Sequence, residues 1–257
     1  MAFKPGISIS SPVVHAPNSV AAGYVYRNNM GMMPSAEFDV FFDDFHQFVV
    51  ATSITNGPVA NTPWGWQGAV IDTGSTATVL TTAAVGASGV LTLADATASE
   101  GVAIYGTKSV QLTSNKRFFM EVRYYTDDVT DNTMFFGLSS LTATTNPEDL
   151  YTTVADDLVV YGILDPATTT TLLCDTGNAG TAAVAGTLAP TASAWNVFAI
   201  EYTGSKINTY LNGKLDQSTS TTLPVGVALA PFFAMRNGDG AGSNANYFDY
   251  VRFVIER

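Results

Sequence analysis

From Phe38 onward the chain is a succession of short apolar stretches in which hydrophobic and polar side chains alternate. "RFFMEVRYYT", "TMFFGLSS", "LVVYGIL", "NVFAIEYT", "APFFAMRNG" and "NYFDYVRFVIER" each have the length of one strand and stop at Gly, Asn, Asp or Thr. A period of two bounded by turn residues is the signature of strands half-buried in a sheet. Between Ala194 and Thr219 the alternation breaks at Gly204-Ser205 and again at Asn212-Gly213. That predicts three strands joined by two tight turns. "ATVLTT" with "GVLTLAD" predicts a hairpin of small residues, and "TTTTLLCDTGNAGTAAVAGTL" a second. The one predicted helical turn is "NPEDLYTTVADD", where Pro147 follows Asn146 and Glu148 and Asp149 suit the positive end. With no composition break after residue 40, residues 37–257 read as a single all-β domain, a sandwich of two antiparallel sheets.

Residues 1–36 follow another pattern. Pro5, Pro12, Pro17 and Pro34 are spread through them without helical periodicity, which favours extended backbone. Either this is a frayed terminus, or it is an N-terminal arm laid across a neighbouring subunit. On the second reading Met30, Met32 and Met33, adaptable apolar contacts, form a subunit interface together with Tyr24 and Tyr26.

Composition narrows the function. The 257 residues are 46% hydrophobic and 13% charged, too apolar for a disordered chain. A formal charge of -11 repels phosphate backbones, which argues against nucleic acid and fits docking on a basic protein surface. No run of apolar residues is long enough to span a membrane as a helix. The start, "MAFKPGISIS", lacks the apolar core of a secretory signal, so synthesis in a cytoplasm is expected. The single cysteine, Cys174, has no partner for an intrachain disulfide and reads as a small buried hydrophobe.

Candidate chemistry is sparse. In "EFDVFFDD", Glu37 and Asp39 share one face of a strand, as a nucleophile and an acid must in a retaining glycosidase, about 5 to 5.5 Å apart. Laminarinase-like enzymes add a third residue, Glu, at the position of Phe42 or Asp43, and neither is Glu here. The acid is missing, and Asp43 and Asp44 read as a strand end. His15 and His46 are far apart, which offers neither a triad nor a zinc site. No catalytic residue is expected. Calcium is the one candidate cofactor: Asp127, Asp128, Asp131 and Asn132 in one segment, and Asn237, Asp239, Asn244 and Asp249 in another, are hard oxygen donors among turn residues. Asp127, Asp131 and Asp239 are the leading candidates, although such residues mostly hydrogen-bond their own backbone. Trp64 and Trp66 flank Gly65; exposed they form a stacking platform for a glycan, and buried they are core anchors.

Trp195 before an alternating strand, followed by Tyr210, Asn212 and Gly213 in "INTYLNGKL", resembles the concanavalin A-like lectin/glucanase jelly roll. The likeness covers roughly residues 100–257; the alternation of the stretch itself assigns Trp195, Val197 or Phe198, Ile200, Ile207 and Leu211 to the core. A narrower likeness lies in Arg236, Asn237, Gly238 and Asp239 with Asp249 and Tyr250, on an acidic chain with one cysteine. It resembles structural proteins of tailed bacteriophages. That resemblance implies a non-enzymatic capsid decoration or cement protein of the virion surface, bound to the major capsid protein as a homo-oligomer, a trimer by preference. The alternative is a carbohydrate-binding, lectin-like module of a phage fibre or host-attachment protein, with a glycan as partner.

Overall fold

A computed structural model describes residues 38–43, 45, 57–58, 66–70, 76–80, 90–95, 101–107, 110–126, 132–140, 157–163, 172–177, 184–237 and 244–256. Every regular element among them is a strand. In chain order these are β1 (Phe38–Asp43), β2 (Gly57–Pro58), β3 (Gln67–Val70), β4 (Thr76–Leu80), β5 (Val90–Asp95) and β6 (Gly101–Tyr105). There follow β7 (Val110–Gln111), β8 (Phe118–Thr126), β9 (Asn132–Ser139), β10 (Leu158–Ile163), β11 (Leu173–Gly177) and β12 (Val184–Ala185). The chain continues with β13 (Ala194–Tyr202), β14 (Ile207–Leu211), β15 (Lys214–Thr219), β16 (Ala228–Asn237) and β17 (Asn244–Glu256).

They form two antiparallel sheets. The 8-stranded sheet runs β15-β14-β13-β8-β17-β5-β4, with β1 beside the second half of β17. The 9-stranded sheet runs β12-β11-β10-β9-β16-β6-β3-β2, with β7 beside β16. One core fills the space between them. Phe198 of the first sheet meets Tyr161 and Phe136 of the second at 5.8 and 6.0 Å between ring centroids. Phe248 meets Phe233 at 5.3 Å. Cys174 lies in this core, and burial pushes its thiol up to about 12, with Asp175 and Asp216 adding to the shift. The cysteine is the small buried hydrophobe expected.

The predicted hairpins pair as read: β4 with β5, β11 with β12, β13 with β14, and β14 with β15. The turn between β14 and β15 has Asn212 at φ 48° and Gly213 at φ 77°. Positive φ at both positions is the primed turn whose twist matches a hairpin. The continuous apolar runs of β6, β9, β10 and β16 have a different cause. Their outward residues, including Tyr105, Phe135, Leu158, Val160 and Phe232, form a second buried cluster on the far side of the 9-stranded sheet. Strands buried on both faces do not need polar alternation. Residues 1–36 and the predicted helical turn up to Asp156 lie outside the described residues.

Candidate functional site

The outer face of the 8-stranded sheet collects the polar and aromatic side chains that the core rejects. In β8, Phe118, Met120, Val122 and Tyr124 belong to the core. Phe119, Glu121, Arg123 and Tyr125 therefore point outward. In β13, Phe198, Ile200 and Tyr202 face the core, which turns Trp195, Val197, Ala199 and Glu201 outward. Register then aligns three rings, since Trp195 opposes Tyr125 and Tyr125 opposes Tyr247 of β17. The Tyr125 centroid lies 5.5 Å from that of Trp195 and 5.7 Å from that of Tyr247. All three rings are partly exposed.

Charged groups edge this aromatic row. The Arg123 guanidinium sits 4.5 Å over the Trp195 ring and donates to the Asp249 carboxylate. Such a stacked and paired arginine holds the indole in one orientation. Further along the face are two buried carboxylates. Glu121, 0% exposed, accepts hydrogen bonds from the Tyr250 hydroxyl at 3.0 Å and from Arg252 at 3.2 Å. Burial pushes its carboxyl up to about 7, against the opposing pull of Arg252 and the Tyr250 hydrogen bond. Its Oε2 and the Arg252 Nε make no hydrogen bond among the described residues. Glu201, 2% exposed, accepts from Tyr210 at 2.5 Å and Asn208 at 3.1 Å, and Asn208 accepts from Ser218 at 2.8 Å.

The residues singled out in the sequence fall elsewhere or outside the described part. Trp66 is 1% exposed and packs on Phe233 at 5.4 Å, so of its two readings the core anchor holds and the stacking platform does not. Trp64, the arm residues Tyr24, Tyr26, Met30, Met32 and Met33, and the calcium candidates Asp127, Asp131 and Asp239 lie outside the described residues. Asp249, from the second calcium segment, is engaged by Arg123. Among the described residues no group of three or more His, Cys, Asp or Glu side chains could hold a metal ion. Asp39 is exposed on β1, and Glu37 lies outside the described residues.

Trp195 corrects an expectation: it is outward, in the aromatic row, and not in the core. The inward slot beside it is taken by Asn196, 1% exposed, whose amide bonds Thr191 and Ala194 carbonyls and whose Oδ1 accepts from Thr191 and Asn212. A buried asparagine with all these partners satisfied costs little, and it shifts the tryptophan to the other face. Counting back by twos from Phe198 gives this phase; the size of the indole conceals it.

No protein-family model and no curated protein sequence matches the chain. Solved structures do. The carbohydrate recognition domain of Emp47p superposes with a TM-score of 0.56 at 14% identity, over 79% of this chain and 96% of its own. Peanut lectin superposes with a TM-score of 0.57 at 13% identity, over 86% of this chain and 98% of its own. A prokaryotic beta-1,3-1,4-glucanase (lichenase) from a mouse hindgut metagenome gives 0.53 at 15% identity, over 83% and 98%. The fold is the lectin/glucanase jelly roll. At these identities the likeness is one of fold alone.

Proposed function

We propose that this jelly roll is a carbohydrate-binding, lectin-like module and that the Trp195–Tyr125–Tyr247 row is its glycan platform. The carrying observation is the row itself: three partly exposed rings in register across adjacent strands, with Arg123 and Asp249 at their side. Pyranose rings offer apolar C–H faces to aromatic surfaces and hydroxyls to charged acceptors and donors, and this face has both. Neighbours of the same fold that are named as a lectin and as a carbohydrate recognition domain add to that reading.

The reading is of holding and not of cutting. A glycosidase acid must reach the glycosidic oxygen, and Glu121 and Glu201 are buried at 0% and 2% exposure, locked to Tyr250, Arg252, Tyr210 and Asn208. The expectation of a capsid cement rests on residues 1–36, outside the described residues, and on sequence likeness.

The test is a glycan array followed by titration calorimetry on the best hit. Trp195→Ala should weaken binding about ten-fold or more, the loss of one stacking surface, while circular dichroism stays unchanged. An array without signal, or full binding by Trp195→Ala, would overturn the proposal.

A further inference from the structure

The ion pair beside the aromatic row is placed by an irregularity in β17. Tyr247 and Phe248 oppose Tyr125 and Tyr124 of β8, and the next residue to find a partner there is Tyr250, opposite Arg123. Asp249 is the extra residue of a β-bulge. Phe248 and Val251 both belong to the core at an odd spacing, where a regular strand brings only every second residue to one face. Between them, Asp249 and Tyr250 both turn outward and meet Arg123 and Glu121. The match of Asp249 to Arg123 is thus set by the main chain. Their side chains are 21% and 27% exposed, within reach of a ligand lying on the rings.

This pair decides which glycans the row favours. A lone arginine over an indole would be a receptor for carboxylate or sulfate, because its fork of N–H groups matches them. Here Nη1 of the fork already donates to the Asp249 carboxylate at 2.5 Å, and the charge is balanced. An acidic sugar would have to displace Asp249 or set a second negative charge beside it. Near a protein surface that costs binding at least about ten-fold. A neutral hydroxyl meets no such opposition, since it can accept from an arginine N–H or donate to the carboxylate. The net charge of -11 also repels anions, but at physiological salt distant charges are screened beyond about 8 Å. Discrimination at the rings therefore falls to Asp249.

We propose that Asp249 is the specificity residue of the glycan platform: by balancing the charge of Arg123 it favours neutral glycans over those that carry a carboxylate or sulfate onto the Trp195–Tyr125–Tyr247 row. The inference rests on the platform reading and adds the class of glycan to it.

The probes are a neutral oligosaccharide taken from the glycan array and its uronate, made from it by oxidising primary hydroxyls to carboxylates. Both are titrated by calorimetry into the full chain at about 0.15 M salt. The parent should bind the neutral form at least about ten-fold more tightly. Asp249→Asn, which frees the Arg123 charge, should bring that preference below about three-fold or reverse it. The double variant Arg123→Gln, Asp249→Asn, with neither charge, should bind the uronate at least about five-fold more weakly than Asp249→Asn does. A merely structural Asp249 would weaken both forms alike and leave the ratio where it was. Asp249→Ser carries the test if Asp249→Asn does not fold. Acidic glycans as the strongest array hits, a parent without preference, an unchanged ratio in a folded Asp249→Asn or Asp249→Ser chain, or undiminished uronate binding by the double variant would each overturn the role of Asp249 and leave the platform standing. An array without signal, or full binding of both probes by Trp195→Ala, would overturn the platform itself and this inference with it.

Discussion

A carboxylate placed at the centre of a sheet must be compensated or protonated, and Glu121 is both partly compensated and hard to ionise. Its carboxyl is pushed up from 4.5 to about 7, burial outweighing Arg252 and Tyr250. The unfolded chain releases this proton near the ordinary value, so between about 4.5 and 7 the folded state binds more protons. Stability then falls as pH rises through that window. Glu121→Gln cannot titrate. The difference in melting temperature between Glu121→Gln and the parent should therefore increase from pH 4.5 to pH 7 and level off above, whatever its sign at the start. A difference independent of pH would mean that Glu121 is not held as described. Cys174 offers a simpler check. With the thiol buried and raised to about 12, Ellman's reagent at pH 8 should leave the native chain untouched and react fully once it is denatured. Residue identity made the burial of Cys174 legible in the sequence. It did not reveal Glu121, because one glutamate in "FFMEVRYY" looks like any outward strand residue, and only the neighbours brought by β13 and β17 bury it.

At the scale of elements, local chemistry was readable and long-range contact was not. The β14–β15 turn follows from Asn212-Gly213 alone, because those residues accept positive φ. The structure adds what Asn212 does there: its N–H donates to the Val197 carbonyl at 2.7 Å, and its Oδ1 accepts from the Val197 N–H at 2.8 Å, tying the turn to the start of β13. Gly213→Ala should cost about 1 kcal/mol in urea unfolding, the strain of a side chain at positive φ. Gly137 is a different kind of glycine. It sits in mid-β9 facing β10, where an added Cβ would run into the Val159 carbonyl oxygen. Gly137→Ala should force the two strands apart and cost about 1 to 3 kcal/mol, seen as a lower urea midpoint. The sequence shows a glycine inside an apolar run and nothing of the neighbour that demands it. The aromatic row was hidden in the same way: Trp195, Tyr125 and Tyr247 lie far apart in the chain and meet only through the pairings of β13, β8 and β17.

At the scale of the whole molecule, strand order decides what can fold without what. Alternation and turn residues identify an all-β sandwich, since each strand carries its own pattern. They do not give the order, because any two strands of matching period could pair. The order found puts the end of the chain in the middle of the sheet. β17 pairs with β8 along one edge, and with β5 and then β1 along the other. It brings Phe248, Val251 and Phe253 to the core, and Tyr247, Tyr250 and Arg252 to the outer face. Without it, β8 loses a whole edge of backbone partners and Glu121 loses both its donors, Tyr250 and Arg252. Unpaired buried backbone and an unopposed buried carboxylate are each costly relative to the few kcal/mol that hold a domain together. A chain ending at residue 243 should therefore show no cooperative thermal transition and no near-ultraviolet dichroism, while a peptide of residues 244–257 added in trans should restore both in part. A cooperative transition in the truncated chain alone would show that the remaining strands make a stable sandwich, and that β17 completes the fold without being required for it.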